Sequence, residues 1–333
     1  MKRMFLSSAF AALLLSGTAG LAQQPTPSAP ANPADQPFQA GTPLGVMVEG
    51  KYTPLSSNVK VYGGVVNAES CTYDATRNLI VVVNRGANQN EAPNDGFVSL
   101  LNHDGSVHTA RWIGFNRNGL MLNHPFGSDV HAGKLYLADS NGGTADGAPR
   151  ISVVRTFDIV TGKPVGETLV PESAWFNDIA VARDGTVYAS QTGSADGKTP
   201  MRLYKVTPDG KSSVLLDGAP LARPNGVAID GDGNVVVANM DNTTILTFSP
   251  DGKLLKTEHA AQPGSDGIVI MADGTKYVSS VLHGGVSRIR PGKAAELIAT
   301  GIPSAASMCF DPQANQLVIP MNPNNALAFV KLK

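Results

Sequence analysis

From Glu69 onward, short apolar runs alternate with polar positions and are cut at regular intervals by turn residues. Four of these runs open alike. Glu69 precedes Asp74, Asn177 precedes Asp184, Asn225 precedes Asp230, and Asp266 precedes Asp273. After each Asp comes a turn and an apolar strand: Asn78-Leu79-Ile80-Val81, Gly185-Thr186-Val187-Tyr188, Gly233-Asn234-Val235-Val236 and Gly274-Thr275-Lys276-Tyr277. A second series of turns follows, at His103-Asp104-Gly105, Thr161-Gly162, Pro208-Asp209-Gly210, Pro250-Asp251-Gly252 and Pro291-Gly292. Alternating strands such as Leu203–Val206 and Ile245–Phe248 lead into these turns. Each unit therefore predicts a four-stranded meander of two hairpins. The repeat of roughly 40–60 residues is in the range of propellers and other arrays.

Six units fit the chain. The second opens near Pro125–Asp129 and continues through Lys134–Asp139 with a shortened turn. The sixth opens near Ala306, runs through Asp311 to Leu317–Pro320, and ends one strand short after Phe329–Leu332. Either Gly45–Val48 or Val59–Tyr62 is placed to supply the missing strand, which closes the ring and removes an exposed sheet edge. The predicted fold is all-β: a six-bladed β-propeller of four-stranded antiparallel blades, closed by an N-terminal strand. An open β-solenoid would need shorter repeats.

The N-terminal segment reads differently. Lys2 and Arg3, the apolar run Phe10–Leu15 and the small residues Gly20 and Ala22 describe a signal peptide over residues 1–22, too short to span a bilayer. Residues 23–43, rich in Pro, Ala and Gln, cannot bury enough apolar surface to offset ordering entropy and read as a disordered linker. The propeller domain is expected over 44–333, exported to a periplasm or beyond. A net charge of -1 gives no reason to expect nucleic acid or an anionic membrane as partner after signal cleavage, and a monomer is expected. Charged residues are only 16% of the chain, and its 35 glycines suit many short strands joined by tight turns.

The repeated slot at the strand openings carries the chemistry. Two carboxylates and two amides fill it, and equivalent slots of a closed ring converge on the axis. Converging oxygen donors suit a hard cation, Ca²⁺ or Mg²⁺, better than a structural zinc site. The same polar residues could instead bond backbone inside the tunnel of an inert propeller.

At these residues the chain resembles the SMP-30/gluconolactonase/LRE-like family of six-bladed propellers. The family's first-blade Glu falls on Glu69, its Phe-Asn-Asp motif on Phe176-Asn177-Asp178, its Asn-Gly on Asn225-Gly226 and its Asp-Gly on Asp266-Gly267. Single Asn-Gly or Asp-Gly pairs are common; four motifs in order at blade spacing are specific. The resemblance implies one axial divalent cation, foremost Ca²⁺ with Mg²⁺, Zn²⁺ or Mn²⁺ as alternatives. Glu69, Asn225 and Asp266 would hold it, with Asn177 as a fourth metal residue or facing the metal-bound water or the substrate. It implies hydrolysis of a lactone, with Asp266 acting on the nucleophilic water. Ser70-Cys71 and Ile179 depart from the family's Gly-Pro and Gly. Trp175 stands where some members carry a substrate-binding Arg, and is a candidate for stacking on substrate.

Other signals are thinner. Asp178 is expected to fix a neighbouring loop, Phe176 to pack between blades, and Asp129 to lie near the axial end of the second unit. Asp230–Asn234 begins like an EF-hand loop, but Val235 and Asp241 stand where that loop needs Gly and Glu, so a turn is expected. The six His residues show no zinc spacing, although His124 or His283 could project toward a substrate. No Gly-x-Ser-x-Gly elbow and no phosphate-binding Gly loop occurs. Cys71 and Cys309 have opposite strand parity in neighbouring blades, so they either face each other or point apart; export permits a disulfide. The rival functions are a non-catalytic propeller that binds a small ligand or a protein, and a propeller of the strictosidine-synthase kind. Fold alone does not separate them.

Overall fold

The computed structural model describes residues 44–87, 94–117, 119–142 and 150–333. The expected leader and linker, and most of the two long loops around 88–95 and 141–148, lie outside the described residues.

Among the described residues the chain forms six four-stranded antiparallel sheets and one two-stranded hairpin, with no α-helix. In blades one to five the strands run outward in chain order. Their innermost strands are Ala68–Asp74, Ser128–His131, Ile179–Val181, Pro224–Ile229 and Ser265–Ile270. In blade six Cys309–Asp311 is innermost, followed by Gln316–Met321 and Ala326–Lys331. Its outer edge is Val59–Tyr62, paired with Ala326–Lys331 from Leu327↔Tyr62 to Val330↔Val59. Of the two expected candidates, this strand closes the ring. Gly45–Val48 instead pairs with Lys51–Pro54 in the separate hairpin.

Every innermost strand touches its two neighbours around the circle, including the last against the first. All six line one axial cavity of about 390 Å³, to which they contribute Tyr73, Asp129, Ile179, Val227, Ile268 and Phe310 among others. The six-bladed propeller expected from the repeats is the observed fold.

Burial follows strand position. Second strands are covered on both faces: Leu79–Asn84, Val187–Gln191, Val235–Asn239 and Lys276–Ser280 are buried throughout, their polar residues included. Outermost strands face water, and Leu254–His259 is exposed along most of its length. Where a repeat carries its Asp, that residue caps the inner hairpin. Asp184 and Asp273 accept the backbone N–H of Thr186 and Thr275 at 2.9 Å, while Gly185 and Gly274 take the left-handed φ that the turn requires. Asp230 does the same for Asp232 and Asn234, so this segment is a turn, as expected, and no EF-hand.

Cys71 and Cys309 form a disulfide, with their Cα atoms 5.4 Å apart. Of the two orientations that parity allowed, the thiols face each other. The bond ties the innermost strand of blade one to that of blade six at the ring's closing junction.

Candidate functional site

Glu69, Asn225 and Asp266 each lie at an irregularity in the pairing of an innermost strand with its neighbour. The register slips between Ala68 and Ser70, between Pro224 and Val227, and between Ser265 and Ile268. A bulge leaves such residues unpaired and re-aims their side chains, here toward the axis. The glycines of the Asn-Gly and Asp-Gly pairs have a steric cause. A Cβ on Gly226 would collide with the Asp266 carbonyl oxygen, and one on Gly267 with the Ser307–Met308 backbone. Only glycine lets consecutive innermost strands approach this closely at the mouth.

The structure brings these three residues together. Asn225 Nδ2 donates to Asp266 Oδ2 at 3.0 Å across the junction of blades four and five. The charge of Glu69 reaches Asp266. All three residues are almost wholly buried, at 3%, 1% and 3% relative exposure for Glu69, Asn225 and Asp266. Each has one buried oxygen that accepts no hydrogen bond: Glu69 Oε2, Asn225 Oδ1 and Asp266 Oδ1. Unsatisfied buried polar atoms cost roughly 1–3 kcal/mol each, and native proteins keep them rare. Burial drives the Asp266 carboxyl well above the usual range, and the nearby charges of Glu69 and Asp178 push the same way. Burial also raises Glu69, against the pull of Arg85 and a hydrogen bond from Asn322.

Among the described residues no three His, Cys, Asp or Glu side chains gather as a metal cluster. The set here is two carboxylates and an amide, whose oxygens without a hydrogen bond are the hard donors that a divalent cation of the calcium or magnesium type accepts. The residues present fit such an ion.

Asn177 is fixed rather than free. Its Nδ2 donates to Thr192 Oγ1 at 2.9 Å, and Thr192 in turn donates to the Pro224 carbonyl at 2.8 Å. Asp178, expected to fix a neighbouring loop, instead bonds to the innermost strand of the next blade by accepting Val227 N–H at 3.0 Å. Burial pushes it up to about 7, against the Val227 and Ile179 N–H groups that lower it. Asp129 lines the axial cavity but spends its carboxylate on Val130 and Val181 N–H, at 2.7 and 2.8 Å.

An aromatic group stands on the blade-two side. Trp175 lies 5.3 Å from Phe126, and His124 packs edge-on to Phe126 at 4.8 Å. Phe126 is joined to blade one through Ser70, whose Oγ donates to the Phe126 carbonyl at 2.6 Å. Asp139 holds this loop by accepting the N–H of both Asn123 and His124. Burial, helped by the charges of Arg85 and Arg150, pushes His124 down to about 3, so its imidazole is neutral near pH 7. Phe176 packs on Tyr204 at 5.3 Å in a core cluster that also takes in Ala138 and Val154 of blade two, the packing between blades expected of it. His283 leaves a buried Nδ1 without a hydrogen bond.

Arg85 and Asn322 were not anticipated. Both follow the end of a blade's second strand, Leu79–Asn84 and Gln316–Met321. An antiparallel second strand ends where the innermost strand begins, so the next residue returns to the mouth. That topological signal was available in the sequence once the hairpins were placed.

The fold and site define a six-bladed propeller with a polar, acid-containing axial mouth. Residues 168–321, which run from the outermost strand of blade two into blade six, match the family described as SMP-30/Gluconolactonase/LRE-like region. No curated protein matches the chain. Among solved structures, a gluconolactonase from Xanthomonas campestris aligns over 92% of this chain and 99% of its own, with TM-score 0.58 and 17% identity. Virginiamycin B lyase from Staphylococcus aureus aligns over 83% and 100%, with TM-score 0.57 and 14% identity. At these identities the likeness to solved structures is one of fold.

Proposed function

We propose that this protein is an exported lactone hydrolase dependent on one divalent cation, calcium before magnesium, zinc or manganese. Glu69, Asn225 and Asp266 hold the ion. The observation that carries this reading is the set of three buried oxygens, one on each of those residues, that accept no hydrogen bond. Calcium is favoured by the donor set, which is all oxygen and without thiolate or imidazole. Export is supported by the basic and apolar leader pattern and by the Cys71–Cys309 disulfide, since such bonds persist in oxidising compartments.

When bound, such an ion polarises a carbonyl oxygen and lowers the pKa of water. Asp266 orients the attacking water and receives its proton. Asn177, its amide plane fixed by Thr192, meets the substrate beside the acids. Trp175, backed by Phe126, offers an aromatic face to the substrate ring. The neutral imidazole of His124 adds no positive charge to that wall. The substrate is a sugar lactone or a related cyclic ester.

Elemental analysis of the purified protein, paired with acid release from a lactone panel with and without chelator, tests the proposal. A stoichiometric cation, turnover, loss of both on chelation and their loss in Asp266→Ala are expected. An Asp266→Ala variant with unchanged metal content and turnover overturns the assignment. A wild-type protein that holds a small molecule or a protein without a cation or turnover marks a binding propeller instead.

A further inference from the structure

Glu69 already faces a positive charge supplied by the protein. Arg85 Nη1 lies 3.2 Å from Glu69 Oε2, the same oxygen that accepts no well-formed hydrogen bond. Arg85 Nη2 donates to Asn67 Oδ1 at 3.1 Å, and the guanidinium sits 5.0 Å from the centre of the Phe126 ring. Three contacts fix the group, and its side chain is only 22% exposed. It is built into the mouth.

We propose that Arg85 is a resident counter-charge that competes with the divalent cation for Glu69 and sets the affinity of the axial slot. The inference rests on the cation-binding reading above. A calcium ion needs carboxylate oxygens at roughly 2.3–2.6 Å. An ion bonded to Glu69 Oε2 with the guanidinium in its present place brings two like charges within a few ångströms, in a site where water and salt screen poorly. The ion therefore enters only as Arg85 yields. Conversely, Arg85 neutralises Glu69 when no ion is bound, so it supports the fold of the empty protein.

These two roles predict opposite effects of one substitution. Chelator-stripped wild type, Arg85→Gln and Arg85→Lys are titrated with calcium chloride by calorimetry, and their melting temperatures are read before and after. Arg85→Gln is expected to bind calcium at least about tenfold more tightly than wild type. Arg85→Lys, which keeps the charge, stays within about threefold of wild type. Stripped Arg85→Gln melts below stripped wild type and gains more on calcium addition. Arg85→Met, which keeps the stem against Phe126, gives the same test should the Gln variant not fold. Equal or weaker calcium binding by the uncharged variants, with wild type binding normally, overturns the role of Arg85 and leaves the cation reading standing. If neither wild type nor the variants take up calcium, magnesium, zinc or manganese, the cation reading falls and this inference falls with it.

Discussion

Asn225 and Asp266 belong to different blades and are joined side chain to side chain, Nδ2 donating to Oδ2 at 3.0 Å. This bond fixes the other oxygen of each, Oδ1 of Asn225 and Oδ1 of Asp266, and both are buried without a hydrogen bond. With Glu69 Oε2 they make three such atoms at one end of the axis. Arg85 offsets part of the cost at Glu69 Oε2; the two Oδ1 atoms bear roughly 1–3 kcal/mol each unless a ligand meets them.

Stripping the protein with chelator should therefore lower its melting temperature by several degrees, and calcium should restore it. In Asp266→Asn the cation content should fall below about a tenth of wild type and the calcium-dependent shift should vanish. Scanning calorimetry with parallel elemental analysis reads both. A full calcium shift in Asp266→Asn would remove Asp266 from the site.

Gly226 should not tolerate even alanine. Its added methyl group would meet the Asp266 carbonyl oxygen, which is backbone and cannot swing away. The strands must part, and the cost should reach roughly 1–3 kcal/mol or more, in the range of overpacked interiors. Gly231, in the exposed turn of the same blade, meets nothing within 4 Å and should accept alanine within about 0.5 kcal/mol. Urea unfolding of the two variants side by side makes the comparison. Gly226→Ala should also weaken cation uptake, because it separates the two strands that carry Asn225 and Asp266.

The disulfide closes a loop with a sequence separation of 238. Chain-entropy scaling for so long a loop gives about 5 kcal/mol of stabilisation through the unfolded state. The paired Cys71→Ser, Cys309→Ser variant should fold and unfold at markedly lower urea, and its blades one and six should exchange amide hydrogens first. The intact protein should gain about two mass units on reduction under denaturing conditions. A variant as stable as wild type would show that the ring is held by Val59–Tyr62 alone.

The blades were legible because their signals are local. An Asp two residues ahead of a bonded N–H, as at Asp184 and Thr186, marks its own turn, and alternation marks its own strand. The axial slot was legible as a repeated position, since closure carries equivalent residues to equivalent places. What could not be read was anything set by contact between blades. The reason for glycine at 226 is the carbonyl of residue 266, forty positions away. Strand parity left the thiols of Cys71 and Cys309 either paired or apart, because twist at the closing junction decides it. Arg85 read as a charge after a strand; only the closed ring sets it between Glu69 and Phe126.

Asp129 supplies a pH dependence independent of the cation site. Its carboxylate is buried and accepts two backbone N–H groups, Val130 in its own strand and Val181 in blade three. Burial dominates and pushes it up to about 6 from 3.8, although both N–H bonds and the charge of His131 pull it down. A folded-state value above the unfolded one favours folding at low pH. The contribution is complete below about 4 and is lost as pH rises through about 6, a total of about 3 kcal/mol. Asp129→Asn cannot ionise, so urea midpoints measured from pH 4.5 to 7.5 should fall less with rising pH in the variant than in wild type. The variant also turns an amide N–H toward one of the two backbone donors, so it should start out less stable at pH 4.5 and draw level with wild type toward pH 7.5. Parallel profiles would mean that Asp129 titrates alike in both states and that its two backbone bonds offset its burial in full.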